Sequence, residues 1–116
     1  MHEFRVTKHD HDGAVVYRMD GVLGDAHQPH DFHETFLADL PDLPNRIVFN
    51  LEQVENVYSA GIGILANCFT ESKAAGKSMI LCCVPGHVQK LLTLTGVMPL
   101  LTATDTEAEA LAAPTS

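Results

Sequence analysis

The sequence predicts a single α/β domain, in which a mixed, largely parallel β-sheet is packed with about four helices in the order ββαβαβαβα. A chain of 116 residues has room for one domain of ordinary size. Its hydrophobic share of 46%, against 19% charged residues, is typical of a globular protein with a packed core. A hairpin pattern near the N-terminus is followed by short apolar runs that alternate with stretches of helical periodicity. That alternation is typical of parallel strands joined by helices.

The first two predicted strands form a β-hairpin. Residues 4–7 and 14–19 carry apolar and β-branched side chains, and the turn-rich residues 9–13 separate them. Within that turn, Asp12-Gly13 is a dipeptide typical of two-residue hairpin loops. The two strands should therefore pair antiparallel.

The first helix is predicted between Pro29 and Pro41. Proline is favoured in the first turn of a helix, and a helix usually ends before the next proline. Four apolar side chains between the two prolines share one helical face: Phe32, Phe36, Leu37 and Leu40.

A buried strand and a second helix follow. Residues 47–51 form a short apolar run, which predicts a strand buried on both faces. After a short loop, an amphipathic helix is predicted to begin near Ser59 and to end at Gly76. Its apolar stripe has the spacing i, i+3, i+4, i+7 and consists of Ile62, Leu65, Ala66 and Phe69.

Residues 79–84 predict another buried strand, and a third helix is expected between Pro85 and Gly96. The inner face of that helix would carry Val88, Leu91, Leu92 and Thr95.

The chain then predicts a short last strand over residues 100–102 and a final helix through Leu111. Two alternative capping boxes could begin this helix, Thr104 with Glu107 or Thr106 with Glu109. The domain is accordingly expected to cover residues 1–113, with residues 114–116 as a flexible tail.

Charge is distributed unevenly along the chain, whose formal net charge is −8. Residues 1–58 hold four basic and eleven acidic side chains, whereas residues 59–116 hold three and four, so the halves carry −7 and −1. Binding to nucleic acid or to an anionic membrane requires a basic face, and the sequence has no cluster of Lys or Arg. The composition therefore argues against DNA, RNA and anionic membranes as partners.

The cysteines and the apolar runs indicate a cytoplasmic protein. Cys68, Cys82 and Cys83 are odd in number and lie in apolar contexts without C-x-x-C spacing, which predicts reduced core thiols. The longest apolar stretch, residues 79–84, is far shorter than the roughly 20 residues that span a bilayer. The N-terminus also lacks the pattern of a secretion signal.

The histidines offer a competing, metal-based interpretation. Five of the seven form two groups: His27, His30 and His33, spaced every three residues, and His9 and His11 in the predicted turn beside Asp10 and Asp12. No four-ligand pattern such as C-x-x-C or H-E-x-x-H accompanies them. His33 falls inside the apolar arc of the first helix, which predicts a partly buried side chain with one hydrogen-bond partner. We therefore expect neither a metal nor another cofactor.

Catalytic motifs are not found in the sequence. It contains no Gly-x-Ser-x-Gly and no P-loop lysine, and Gly61-x-Gly63 lacks the third glycine of a dinucleotide fingerprint. Because the abundant carboxylates are most simply a solvated surface, no catalytic pair can be selected, and we expect a protein without enzymatic activity.

Residues 50–65, Asn-Leu-Glu-Gln-Val-Glu-Asn-Val-Tyr-Ser-Ala-Gly-Ile-Gly-Ile-Leu, resemble the STAS family. The family comprises the anti-sigma factor antagonists and their relatives, among them domains of sulphate transporters. In the antagonists a buried strand ends in Asn-Leu or Asp-Leu, and a short loop leads to Asp-Ser-Ser/Thr-Gly-Leu-Gly at a helix start. Residues 94–97, Leu-Thr-Gly-Val, are similar to the family's Ser/Thr-Gly-Leu after the third helix. The resemblance covers about residues 4–111 and implies a STAS fold.

The resemblance implies that Ser59 is the regulatory phosphorylation site. In the antagonists, the unphosphorylated protein binds an anti-sigma factor that is also a serine kinase, which releases a sigma factor, and phosphorylation reverses this. The predicted helix start at Ser59 also suits a phosphate, because the first N–H groups of a helix favour negative charge. A simpler alternative is that Ser59 is only the N-cap of that helix.

Three positions depart from the family pattern. Tyr58 replaces the usual acid, Ala60 replaces a second hydroxyl residue, and the acid expected after the second strand is displaced to Asp25. The expected partner-binding surface around Ser59 comprises Tyr58, Ala60, Gly61, Ile62, Gly63, Gly24 and Asp25. The resemblance leaves two alternatives open, a nucleotide or small-ligand sensor and a non-phosphorylated scaffold module. A monomer or weak dimer is expected.

Overall fold

The computed structural model describes residues 4–24 and 31–113, and it confirms the predicted order of strands and helices. The strands are β1 (Arg5–His11), β2 (Ala14–Leu23), β3 (Arg46–Val57), β4 (Ser78–Cys82) and β5 (Thr102–Thr104). The helices are α1 (Asp31–Asp39), α2 (Ser59–Ala74), α3 (Gly86–Leu94) and α4 (Glu107–Ala112), and two single 3₁₀ turns lie at Leu40–Asp42 and Met98–Leu100.

The five strands form one sheet in the order β1-β2-β3-β4-β5, so each strand pairs with its neighbour in sequence. β1 and β2 are antiparallel, and the three remaining pairs are parallel. Parallel neighbours must be joined by crossovers, which are almost always right-handed. Since the strand order advances in one direction, α1, α2 and α3 lie on the same face. Their buried side chains share one core cluster with the strands.

Among the described residues, α4 is the only helix that covers the other face of the sheet. Because α4 follows the last strand and does not connect two parallel strands, the right-handed crossover rule does not determine the face of the sheet on which it packs. Ala110 of α4 packs against Val16, Val48, Ile80 and Cys82, which form a second, smaller cluster. The six-residue helix contacts β3, β4 and β5. On the same face β1 carries only polar residues, whereas β2 carries the apolar Ala14 and Val16 before Arg18.

The strands beside the proposed serine are longer than predicted. β3 was expected to end at residue 51 but continues to Val57, and β2 continues to Leu23. The extra residues pair with each other in a parallel ladder, with register shifts after Arg18 and after Gly21 that account for the broken apolar pattern. The predicted loop before Ser59 is therefore wrong, because only Tyr58 separates β3 from α2.

Other element boundaries also differ from the prediction. The hairpin at Asp12-Gly13 is confirmed, but β1 extends through His11, so His9 and His11 lie in a strand rather than a loop. An edge strand tolerates such polar residues because part of it faces water.

At the C-terminal end, the last strand is Thr102–Thr104, and the residues before it form the 3₁₀ turn Met98–Leu100. β4 ends at Cys82 because Cys83, with φ of 57°, leaves the extended conformation. Of the two capping boxes, the structure selects Thr106 with Glu109: Thr106 Oγ1 accepts a hydrogen bond from Glu109 N at 3.1 Å. The predicted helix stops at Gly76 and Gly96 both follow the observed helix ends. Pro29, the predicted start of α1, and the tail 114–116 lie outside the described residues.

The core between the sheet and α1 contains an aromatic cluster around Tyr17. Its ring makes edge-to-face contacts with Phe32, Phe36 and Phe49, with centroids 5.5–6.0 Å apart. The Tyr17 hydroxyl is buried and has no hydrogen-bond partner in residues 4–24 and 31–113. Burial, with a smaller contribution from the nearby carboxylate of Asp39, raises the pKa of Tyr17 to about 12. The hydroxyl is therefore neutral and contributes no hydrogen bond to the core.

The cysteines are free, as predicted. Cys68 and Cys82 are fully buried, and Cys83 is half-buried. Burial raises the pKa of the Cys68 thiol to about 12 and raises that of Cys82 further. Cys68 and Cys82 are therefore protonated core side chains, which are poor nucleophiles and metal ligands.

Candidate functional site

Ser59 is the first residue of α2. The helix begins after Tyr58, whose backbone is extended with φ of −89° and ψ of 172°, and no side chain caps this end. The alternative that Ser59 is merely the N-cap is therefore wrong, since Tyr58 occupies that position. The Ser59 side chain is exposed, and its hydroxyl makes no hydrogen bond to any described residue. It is free to react or to contact a partner.

A close backbone contact fixes this helix start against the end of β2. Tyr58 N donates a hydrogen bond to Leu23 O at 2.9 Å. Gly24 has a φ of 90°, and a Cβ on it would lie 2.1 Å from Gly61 N. Conversely, a Cβ on Gly61 would lie 2.4 Å from Leu23 O. Both glycines are required because the two chain segments touch without room for a side chain.

The residues predicted to surround Ser59 are brought together only in part. Tyr58 is 45% exposed, and Ala60 and Gly63 also lie on the surface. Ile62 is half-buried and packs against the core, whereas Gly61 is buried. Gly61 therefore shapes the site through packing and offers no surface of its own.

Gly24 completes the rim of the site at the end of β2, where it is half-buried. Asp25 lies outside the described residues.

The electrostatics of this helix start favour an added anion. The N–H groups in the first turn lack intrahelical partners, and Ile62 N is the first to bond back, to Tyr58 O at 3.0 Å. No acidic residue occupies the first turn of α2. The positive end of the helix dipole is therefore not compensated by an acidic side chain of its own first turn.

The segment of β3 that leads to Ser59 is held by α3. His87 Nε2 donates a hydrogen bond to Glu55 O at 2.5 Å. This contact supports β3 beyond the end of β4, where the sheet offers no further strand on that side.

A second polar cluster joins β2, β3 and α4, and the sequence interpretation missed it. Arg18 donates two hydrogen bonds to the carboxylate of Glu107, at 3.0 and 2.8 Å, and Asn50 Nδ2 donates to Glu107 Oε1 at 3.0 Å. The hydrogen bond from Arg18, assisted by that from Asn50, lowers the pKa of Glu107 to about 2. Glu107 is the first residue of α4, so this cluster ties α4 to the sheet.

The signal in the sequence for this cluster was weak. In the sequence, Asn50 stands out only as a member of the predicted strand 47–51 and as the first residue of the STAS-like motif. Its amide oxygen also accepts a hydrogen bond from Glu52 N at 2.9 Å. Arg18 and Glu107 are 89 residues apart, so no local pattern relates them.

The histidines of the described segments do not gather into a metal site within one chain. His33 is half-buried, and its Nε2 lies 2.7 Å from Asn67 Oδ1, which confirms the predicted single hydrogen-bond partner. Across residues 4–24 and 31–113, no three His, Cys, Asp or Glu side chains lie close enough together to hold a metal ion. His27 and His30 are outside the described residues. In that same part of the chain, no helix is long and apolar enough to cross a membrane.

Comparison with known proteins identifies the family. The STAS domain model matches residues 5–110. The chain belongs to the STAS domain family. Its fold is that of the anti-sigma factor antagonists, as the resemblance predicted.

Solved structures with this fold include several STAS proteins. An anti-sigma factor antagonist from Mycobacterium paratuberculosis is 24% identical, with a TM-score of 0.82 over 96% of this chain and 93% of that one. The protein TM1081 of Thermotoga maritima is 22% identical, with a TM-score of 0.82 over 97% and 90%. The Bacillus cell fate determinant SpoIIAA in its phosphorylated form is 22% identical, with a TM-score of 0.70 over 95% and 97%.

Proposed function

We propose that this STAS domain is a regulatory binding protein of the anti-sigma factor antagonist type. It binds an anti-sigma factor with serine kinase activity, and phosphorylation of Ser59 controls that binding. The protein acts in the cytoplasm and has no catalytic activity of its own. The observation that carries the proposal is the exposed Ser59 hydroxyl at the first residue of α2, which makes no hydrogen bond to the residues that the structure describes.

The start of α2 is suited to both states of such a switch. A phosphate on Ser59 would lie beside the unpaired N–H groups of the first turn, where the helix dipole favours negative charge. Phosphorylation would therefore not unfold the helix. It would place about −1.5 to −2 charges in the middle of the docking surface. A loss of roughly 3 kcal/mol of binding energy on that account weakens affinity by about two orders of magnitude.

The exposed residues at the helix start supply the docking surface. Tyr58 offers a large, half-exposed aromatic ring directly before Ser59, in the place of the family's acid. Aromatic side chains that are buried on binding commonly anchor protein interfaces. Ala60 and Gly63 present little side chain, so a partner can approach the helix closely. Gly24 borders the surface at the end of β2, and the proposed surface also includes the next residue in sequence, Asp25.

The proposal is tested with the anti-sigma factor kinases of the source organism. Each is incubated with the purified protein and ATP, and the phosphorylated position is mapped by mass spectrometry. We expect one of them to modify Ser59 and to bind the wild type and Ser59→Ala. Ser59→Asp should lose binding by about two orders of magnitude, since it mimics part of the phosphate charge.

The matched control is Asn67→Asp, which adds the same charge on α2 beyond the helix start. It should bind like the wild type. An unmodified Ser59, or equal binding by Ser59→Asp and the wild type, would instead indicate a scaffold module without a switch.

A further inference from the structure

One edge of the sheet is formed by β1. In the described part of the chain, β1 hydrogen-bonds only to β2, from Arg5 opposite Asp20 to His11 opposite Ala14. Within residues 4–24 and 31–113, nothing pairs with the opposite side of this seven-residue strand, which is therefore an open edge. Such an edge is a template for pairing with another strand.

The turn determines which backbone groups point outward. His11 and Ala14 close a two-residue hairpin, and the closing pair of such a hairpin exchanges hydrogen bonds. The odd-numbered residues of β1 consequently bond to β2. The N–H and C=O groups of Val6, Lys8 and Asp10 point toward the open edge and are available to a second copy of this chain.

Charge selects one register for that pairing. A twofold axis perpendicular to the sheet makes the two β1 strands antiparallel and keeps paired side chains on the same face. If Lys8 opposes Lys8, like charges meet, and if Thr7 opposes Thr7, no ion pair forms. If His9 opposes His9, Lys8 of each copy faces Asp10 of the other, which gives two ion pairs. Lys8 and Asp10 are exposed, and neither forms an ion pair with a described residue of its own chain.

The same register gathers the histidines of the edge. His9 and His11 share the face of β1 that also carries α4, because strand side chains alternate. His9 would form a non-hydrogen-bonded pair with its copy, whose Cα atoms lie about 4.5 Å apart. His11 of each chain lies diagonally next to this pair. Across β2 the two residues face Val16 and Ala14, which are small and apolar.

We infer that β1 is a self-association edge, and that His9 and His11 of two copies form a shared site for a divalent transition metal such as Zn²⁺. Imidazole is a preferred ligand of this ion. One chain supplies only two of the ligands, which agrees with the lack of a three-ligand group among the described residues. The metal also offsets part of the repulsion between two chains of net charge −8.

Charge reversal tests the register. Lys8→Asp and Asp10→Lys each place like charges opposite each other in a homodimer, and each should weaken self-association roughly tenfold or more. An equimolar mixture of the two variants should form a heterodimer, because every opposing pair is then of opposite sign. The masses are measured by sedimentation velocity at about 0.15 M salt, and circular dichroism verifies the fold. A mixture that associates no better than its components would overturn the register.

Zinc chloride and EDTA test the shared site. The wild type should associate more tightly with zinc, at one ion for two chains, and EDTA should reverse this. His9→Ala and His11→Ala should lose the zinc response, whereas His87→Ala on α3 should retain it. A monomer at every zinc concentration would refute the inference, and so would a dimer indifferent to zinc.

Self-association at β1 does not depend on the phosphorylation switch. Ser59 lies on α2, so Ser59→Asp should dimerise like the wild type even where it fails to bind an anti-sigma factor. The two proposals can thus fail separately.

Discussion

Replacing Gly61 with alanine should destabilise this protein, although alanine is the better helix former. A Cβ at this position would lie 2.4 Å from Leu23 O and 2.9 Å from Leu23 Cγ, where ordinary contacts begin near 3.4 Å. The end of β2 would have to move away by about 1 Å. Overpacking of this kind costs about 1–3 kcal/mol, and the movement also weakens the Tyr58–Leu23 hydrogen bond, worth about 1 kcal/mol.

Gly63 is the matched control in the same helix. A Cβ there meets nothing within 4 Å, so Gly63→Ala gains the helix propensity of alanine, about 1 kcal/mol, without a steric cost. The same gain applies to Gly61→Ala, which leaves a net loss of about 1–3 kcal/mol. The two variants should therefore differ in the free energy of unfolding by about 3 kcal/mol, or roughly 10 °C in Tm.

The assay is urea and thermal denaturation followed by far-ultraviolet circular dichroism. Because the sequence contains no tryptophan, the backbone signal is the better probe. If both alanine variants are equally stabilised, the close contact between Gly61 of α2 and Leu23 of β2 is refuted. If both are equally destabilised, the loss would not come from the contact between Gly61 and Leu23.

Three further predictions concern stability. Ser59→Asp should raise the free energy of unfolding by up to about 1 kcal/mol in urea denaturation, because an acid in the first turn complements the helix dipole; a loss would contradict the phosphate-compatible helix start. Glu107→Gln should lower the free energy of unfolding by about 1 kcal/mol at pH 7. The loss is no larger because the Arg18 side chain is 47% exposed, and water screens an exposed ion pair. Since the pKa of Glu107 is lowered from 4.5 to about 2, the stability that its carboxylate contributes is fully present above pH 4.5 and is lost as the pH falls toward 2. An equal loss of unfolding free energy in the variant at pH 2 and at pH 7 would refute this. Tyr17→Phe should leave the free energy of unfolding unchanged or increase it by about 1 kcal/mol in thermal melts, because the buried hydroxyl has no hydrogen-bond partner in the described part of the chain; a clear loss would show that the hydroxyl is hydrogen-bonded.

Local patterns were sufficient for the elements whose signals are local. The hairpin at Asp12-Gly13 and the cap at Thr106, one of the two predicted capping boxes, each depend on residues within a few positions of one another, and both are observed. The stripe of α2 is only partly observed, because Leu65 is buried whereas Ile62, Ala66 and Phe69 are half-buried. The strand boundaries that were predicted wrongly depend on pairing between strands. β3 continues through polar residues to Val57 because β2 continues beside it, and a sequence window cannot contain both strands.

In the candidate site, too, some features follow from the local sequence and others from contacts between residues distant in sequence. Ser59 was located correctly at the start of a helix, because a strand followed by an amphipathic stripe is a sequence feature. Its status as the first helical residue rather than the cap was decided by the unexpected extension of β3. The role of Gly61 was also decided in space, since the atoms that exclude a side chain there belong to Leu23.

The sequence by itself determined the order of strands and helices, the single-domain size, the acidity and the motif that indicates the STAS family. Each of these follows from composition or from periodicity along the chain. Only the tertiary structure decided that α4 covers the second face of the sheet, that Glu107 ties it to Arg18 and Asn50, and that Gly24 and Gly61 touch. The contacts of Glu107 and of Gly24 join residues that are 37 to 89 positions apart, and the free energy of all these contacts depends on distances that exist only once the sheet has formed.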